Sequence, residues 1–480
     1  MAARIACCSP KRYLLQFAHE HLDFRLQEVK SVISLLGCGA SLKQMDTGSP
    51  FLEIELPGEK EAKAIMQRTV LSKRLYELWA EGTTVSEVVS KLQHLPCAFI
   101  KPYTNENTSF RIVVETFNKK ISSVGKIQRI EQLLEEPTCI MKGKINLSVP
   151  DNSFHLLEFY KFDSVTSPNE PQKVYFGRWI SDGQRDRIQE YHLQNRHFIA
   201  NTSMDACLSM VMANLAQVKE NDLVIDPFVG SGSLLVSSAH FGAYVIGTDI
   251  DYLLLHAKVA CILNLSAATC VSSARPSRAK QKTRSQDESV QNNLRQYGLE
   301  NKYIDVLVAD ASLQKMWRDG WKFDAIITDP PYGIRESASK IASRDLPEQA
   351  EDYGAAHYPQ KTNYQLGDIF KDLLNFAAKF LQVGGRLVYW LPIYRPDYCE
   401  SNIPQHPCLQ MIFNCEQPLS TTISRRLITM VKVCEHEEIS EPQGASIEVD
   451  HYETLTFRQK YFKASTTAAN NSLQKSAQKT

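Results

Sequence analysis

The chain has 480 residues, 43% hydrophobic and 22% charged, a composition expected of a soluble globular protein with two or three domains. Lys plus Arg and Asp plus Glu balance at 54 each, so no global field draws in a polyanion, and any contact with nucleic acid must come from a local basic patch. The 12 cysteines include no Cys-x-x-Cys pair, which argues against a zinc site of the common kind and for reduced thiols in a cytosol or nucleus, the cytoplasm being the expected location. Residues 1–15 lack the unbroken apolar core of a secretory signal, and no apolar run is long enough to span a membrane.

Residues 1–160 have an α+β rhythm. Apolar runs at 13–17 and 51–56 predict strands, with helical spacing over 24–36 between them. Residues 59–79 predict one or two further helices. Strands are expected at 98–100 and 110–114, then an amphipathic helix over 121–134 with Lys126 and Arg129 on its polar face. β-like runs at 145–151 and 154–160 close the region. Lys126, Arg129, Lys142 and Lys144, beside Lys119 and Lys120, form its densest basic group and are the candidate contact with nucleic-acid phosphates. Residues 161–200 are expected to be a linker.

The pattern changes over residues 201–440. Leu223-Val224-Ile225-Asp226 reads as a buried parallel strand closed by an acid. Pro227-Phe228-Val229-Gly230-Ser231-Gly232 follows, then a helix from about residue 234. The glycines permit positive φ and close approach of a ligand, and the helix N-terminus aims N–H groups at whatever sits on the turn. A second strand, 243–248, ends in Asp249-Ile250-Asp251; an acid there, about twenty residues past the glycines, suits a ribose diol. A third strand, 304–309, ends in Asp310, which suits the amino group of an adenine. Residues 266–293 between these strands are polar and basic and predict a disordered insertion. A fourth strand, 323–328, runs into Asp329. Helical spacing over 366–381, strands at 386–391, 409–415 and 427–433, and a polar hairpin connection at 416–425 complete the series. Residues 441–480 read as an extension and tail.

Asp329-Pro330-Pro331-Tyr332 carries a second kind of chemistry. The lone pair of an aromatic amino group is delocalised into its ring. Two acceptors aimed at its N–H bonds favour a shape in which that lone pair becomes available. The Asp329 carboxylate and the Pro330 carbonyl are the candidates, and proline presets the backbone direction. Pro331 continues the turn, and Tyr332 offers a face for stacking a base, worth about 1–3 kcal/mol. Together the two strings imply a methyltransferase that uses S-adenosyl-L-methionine and acts on an exocyclic amino nitrogen of a nucleobase taken out of its stack.

Seven such strands with a terminal hairpin resemble the class I, Rossmann-like methyltransferase sheet, an α/β fold. The first half, with Lys144-Ile145-Asn146-Leu147-Ser148-Val149-Pro150-Asp151, resembles the ferredoxin-like plus THUMP region of RNA-modifying enzymes. More specific are Phe176-Gly177-Arg178, the run from Arg196 through Asn201-Thr202-Ser203-Met204-Asp205, and Met212-Ala213-Asn214-Leu215-Ala216. With the two catalytic strings, they resemble the catalytic subunits of the eukaryotic tRNA guanine-10 N2-methyltransferases over nearly the whole chain.

That resemblance implies N2-methylguanosine formation in tRNA, a THUMP grip on the acceptor end, and a heterodimer with a small zinc-binding activator subunit shared among methyltransferases. By motif match it implies a base pocket at Asp329, Pro330, Pro331 and Tyr332. It implies a cofactor site at Asp226, Phe228, Gly230, Gly232, Asp249, Ile250 and Asp310, with Thr202 and Ser203 closing over the cofactor. The string Asp-Pro-Pro-Tyr also serves adenine N6-methyltransferases, and a noncatalytic RNA-binding scaffold would be expected had the cofactor acids been broken.

Overall fold

The first half of the chain holds a mainly antiparallel sheet, and the second a sheet whose five-stranded core is parallel. The computed structural model describes residues 10–45, 48–135, 140–161, 170–200, 202–252, 254–255, 288–333, 338–341, 361–436 and 445–446. The chain divides into two units, Met1–Asp186 and Arg187–Thr480.

The first unit holds a seven-stranded sheet of β1 (Lys11–Phe17), β2 (Ser41–Leu42), β3 (Phe51–Leu56), β4 (Ser72–Gly82), β5 (Phe110–Phe117), β6 (Asn152–Phe159) and β7 (Lys173–Asp182). Its order is β2-β3-β1-β4-β7-β6-β5. Only β5 and β6 run parallel. The helices Leu22–Leu36 and Glu59–Met66 bury Val29, Val32, Ala62, Ile65 and Met66 against Tyr13, Leu15, Ile54 and Leu75. A second core joins Trp79, Val88, Leu92, Phe110, Phe154 and Phe176.

Several expected elements change here. Residues 72–79 are strand, not helix, because β4 lies mid-sheet with 75–80 all buried; covered on both faces, it loses the alternation that marks a strand. Residues 98–100 belong to the helix Cys97–Thr104. The stretch 145–151 makes one bridge, Ile145 to Phe110, because the Asn146 carboxamide accepts the Ser148 and Val149 N–H groups and competes with the ladder. β7, in the stretch expected as linker, pairs with both β4 and β6.

The second unit contains β8 (Leu223–Asp226), β9 (Tyr244–Asp249), β10 (Tyr303–Val308), β11 (Phe323–Thr328), a small pair β12 (Ser339–Ile341) and β13 (Lys361–Asn363), then β14 (Leu381–Tyr394), β15 (Leu409–Pro418) and β16 (Ile423–Lys432). The main sheet is ordered β10-β9-β8-β11-β14-β16-β15. The first five strands in this order run parallel, β16 runs against them, and β15, antiparallel to β16, returns to their direction. The chain winds outward from β8 to β10, then returns on the other side of β8 through β11. The crevice at this reversal, outside the strands' carboxyl ends, is where open α/β sheets bind ligands. The helix Leu366–Phe380 buries Phe370, Leu373, Leu374, Ala377 and Phe380 against Ile225, Ile326, Leu387 and Tyr389. The helix Ala206–Leu215 is buried along its whole length, and the Trp390 indole N–H reaches the Met212 sulfur at 3.2 Å.

β15 and β16 continue through most of the predicted polar connection, so residues 416–418 and 423–425 lie in the ladder. Residues 290–293, expected within the disordered insertion, begin the helix Val290–Gln296, and Asn293 is fully buried. Residues 266–287 of that insertion and most of the expected tail lie outside the described residues. No helix among the described residues is long and apolar enough to cross a membrane.

Candidate active site

The acids expected at strand ends line one side of the sheet. Asp226 and Asp249 are the last residues of β8 and β9, Asp329 follows β11 directly, and Asp310 follows β10 by two residues. Gly230 and Gly232 both adopt left-handed backbone, with φ of 51° and 79°. Any side chain on Gly232 would also strike Val290, whose Cγ1 lies 2.5 Å from an added Cβ. The turn is laced to the end of β9. Val229 N–H donates to the Thr248 carbonyl at 2.8 Å, Thr248 Oγ1 to the Pro227 carbonyl at 3.0 Å, and Gly230 N–H to Asp249 Oδ2 at 3.0 Å. The helix Ser233–His240 starts on Gly232 without a side-chain cap, so its first N–H groups face the turn. An added Cβ on Gly230 meets nothing within 4 Å, so that side of the turn opens to space. A helix N-terminus, an open glycine turn and an acid at the next strand end fit the amino-acid and ribose parts of S-adenosyl-L-methionine.

Asp226 is buried. Its Oδ1 accepts the Phe228 N–H at 3.0 Å and the Thr328 hydroxyl at 2.7 Å, tying the ends of β8 and β11 together. Burial pushes its carboxyl up to about 7; the charges of Asp249 and Asp329 add to the rise and the two hydrogen bonds oppose it. Asp249 Oδ1 accepts the Asp251 N–H at 2.9 Å. Asp310, expected to meet an adenine amino group, has both oxygens engaged by backbone: Oδ1 by Ser312 N–H at 2.8 Å and Oδ2 by Ile341 N–H at 2.6 Å. It thereby anchors β12. The Ile250 carbonyl accepts the Lys361 ammonium of β13 at 3.2 Å, and Phe228 packs on Ala338, Tyr364 and Ile369.

At the end of β11, Pro330 is buried while Asp329, Pro331 and Tyr332 are partly exposed. The Tyr332 hydroxyl donates to Asp329 Oδ1, and desolvation of that hydroxyl together with the Asp329 charge raises its pKa well above the ordinary value. Asp329 Oδ2 faces the Arg425 guanidinium at 3.3 Å. Nothing in the local sequence marks Arg425; it comes from β16.

The segment before the helix Ala206–Leu215 completes the crevice. Ser203 and Ser231 share a hydroxyl hydrogen bond at 2.6 Å, and Thr202 is exposed beside them. Arg196, buried, donates to Ser233 Oγ at 2.6 Å. Asn293 holds both the N–H and the carbonyl of Phe198 and the carbonyl of Ser231. These braces connect residues far apart in the chain, and no local pattern announces them. Among the described residues no group of three or more His, Cys, Asp or Glu side chains is arranged to hold a metal.

In the first unit, Lys126, Lys142 and Lys144 are exposed. Arg129, expected beside them as a phosphate contact, donates from Nε to Glu158 Oε1 at 2.8 Å, and Glu158 is fully buried. The buried carboxylate needs a cation, and Arg129 supplies it.

This strand order, with a glycine turn between β8 and its helix and an acid at the end of β9, defines a class I S-adenosyl-L-methionine-dependent methyltransferase. Family models agree in both halves: the Tmrp11 THUMP N-terminal domain matches residues 11–185, and an RMKL-like methyltransferase domain matches residues 194–352. The mouse (Mus musculus) tRNA (guanine(10)-N(2))-methyltransferase TRMT11 is 48% identical over 460 residues, 95% of each chain. The human (Homo sapiens) TRMT11 is 47% identical over 464 residues, 95% of this chain and 96% of that one. The crystal structure of TrmN from Thermus thermophilus, 16% identical, covers 88% of this chain and 100% of that one with a TM-score of 0.40. The chain belongs to the tRNA (guanine(10)-N(2))-methyltransferase TRMT11 family.

Proposed function

We propose that this chain is the catalytic subunit that methylates N2 of guanine-10 in tRNA, forming N2-methylguanosine. The observation that carries the reading is Asp329, set at the reversal of the sheet beside the glycine turn and the Asp249 strand end, in a chain of this family. Bound S-adenosyl-L-methionine supplies an electrophilic methyl group on a sulfonium. Residues 229–232 and the N-terminus of the helix Ser233–His240 would cradle its amino-acid end, and Asp249 would accept its ribose hydroxyls. Phe228 and Ile250 would complete the cofactor site. Asp310 keeps β12 in place as a wall of the same pocket, and Thr202 and Ser203 form the lip above the turn. Asp226 braces β8 to β11 from beneath.

Asp329 and the Pro330 carbonyl accept the two N–H bonds of the target amino group, and Asp329 takes the proton that methylation releases. Pro331 sets the turn, and Tyr332 gives the base a flat wall. The first unit supplies tRNA affinity through exposed Lys126, Lys142 and Lys144, with Arg129 holding the helix that carries Lys126.

The partner in this reading is a small zinc-binding activator subunit, and the proposed dock is the sheet edge at β10. Among the described strands β10 pairs only with β9, and it exposes Ile304 and Val308 beside exposed Tyr244 of β9. An exposed apolar edge strand invites strand addition from another chain. Among the described residues no cysteine forms a disulfide, which fits a cytoplasmic enzyme. Nucleoside mass analysis of tRNA treated with the chain, its partner and S-adenosyl-L-methionine tests the reading. N2-methylguanosine mapped to position 10 is expected; N6-methyladenosine, or no product, overturns it.

A further inference from the structure

We infer that Arg425 is a positioning residue for the methyl transfer: it fixes the Asp329 carboxylate in its acceptor orientation and keeps it ionised among neighbouring acids. The inference rests on the proposed acceptor role of Asp329. Asp329 sits in an acidic corner, with Asp226 on β8 close enough to feel its charge and Asp249 on β9 acting on the same Asp226. From β16, Arg425 Nη1 lies 3.3 Å from Asp329 Oδ2. From the same turn, the Tyr332 hydroxyl donates to Oδ1. The carboxylate is thus held at both oxygens, and a carboxylate oxygen can accept a substrate N–H alongside such a partner.

Arg425 is itself held on every side. Its Nε donates to Gln417 Oε1 at 2.7 Å across the β15–β16 hairpin. Its guanidinium carbon stands 4.0 Å from the centre of the Trp390 ring, and Trp390 is fully buried. Its Nη2 lies 3.6 Å from the sulfur of Met204, next to Ser203 at the cofactor turn. A planar cation stacked on an indole and forked between two acceptors loses little freedom when it binds a carboxylate. A surface ion pair would have none of these supports. The same side chain spans the hairpin, the lead-in to the cofactor turn and the base pocket, so the terminal hairpin takes part in the chemistry.

The test uses the full chain in its active assembly, with single-turnover methylation of tRNA measured across pH. Asp329→Asn, Arg425→Met and Arg425→Lys are compared with wild type, and cofactor affinity and melting temperature serve as controls for folding. In Arg425→Met the rate at neutral pH should fall about tenfold or more, as expected when one charge-assisted hydrogen bond is removed. The acid limb of its pH profile should move up by about one unit or more, because a carboxylate without its cation ionises at higher pH. Arg425→Lys keeps a charge without the fork: its acid limb should stay near that of wild type while its rate falls. Asp329→Asn should be inactive. If Asp329→Asn retains activity, the acceptor reading fails. If Asp329→Asn is inactive and Arg425→Met keeps wild-type rate and acid limb, only the inference about Arg425 fails. Should Arg425→Met not fold, Arg425→Lys decides: a wild-type rate overturns the inference.

Discussion

Replacing Asp249 with alanine removes two kinds of interaction at once, and the structure allows them to be separated. Its Oδ2 accepts the Gly230 N–H at 3.0 Å and its Oδ1 the Asp251 N–H at 2.9 Å, so the carboxylate shapes the glycine turn before any ligand arrives. In the proposed reading it also accepts the ribose hydroxyls of S-adenosyl-L-methionine. A hydrogen bond to a charged group is worth about 1.5–3 kcal/mol, so losing one such bond to the cofactor weakens affinity roughly tenfold to a hundredfold. The side chain is partly exposed and water replaces part of the loss, so the lower end is expected. Calorimetric titration with S-adenosylhomocysteine measures the change in a folded Asp249→Ala protein. Titration with an analogue lacking the ribose hydroxyls separates turn-shaping from direct contact. Wild type should bind this analogue more weakly, and Asp249→Ala should discriminate little between the two ligands. Unchanged affinity in the variant refutes the argument, as does wild-type binding of the deoxy analogue as tight as of the parent; Asp251 would then be the better ribose partner.

Four further outcomes follow from the same geometry. Asp329→Ala should abolish transfer while cofactor affinity stays near normal, because the carboxylate acts on the target amino group; turnover within a few-fold of wild type in filter-binding methylation assays would remove Asp329 from the reaction. Replacing Lys126, Lys142 and Lys144 together with glutamine should flatten the log–log salt dependence of tRNA binding by roughly 0.7–0.9 for each phosphate no longer neutralised. Arg129→Ala should instead destabilise the first unit, by at most about 3–5 kcal/mol, because it strips buried Glu158 of its cation; a melting temperature equal to wild type would refute this. Asp226 has a folded-state pKa of about 7 against an ordinary 3.8, so the folded protein binds a proton there that the unfolded chain has released. Cofactor-free protein should therefore lose stability as pH rises from about 4 to 7 and level off above, and Asp226→Asn should flatten that slope in a melting series across pH.

The cofactor half was legible because its signals are local. An apolar run closed by Asp226, two glycines and a helix start lie within one short segment, and the turn geometry demands those residues wherever the segment sits. The acids at 249, 310 and 329 each end an apolar run, so the side of the sheet they line follows from strand direction alone. The N-terminal half was less legible. β4 is covered on both faces and shows no alternation, and β7 is defined by its neighbours β4 and β6.

The sequence by itself determined which elements form the crevice and which residue types stand at its rim, since glycine freedom, proline restraint and strand periodicity are properties of short stretches. Only the tertiary structure decided how the charges are used. Arg425 reaches Asp329 from 96 residues away, Asn293 ties Phe198 to Ser231, and Arg129 pairs with buried Glu158. A side chain's charge is written in the chain, but its partner is chosen by burial. A buried carboxylate must find a cation or a donor, and which one it finds depends on strands that meet only in the folded sheet.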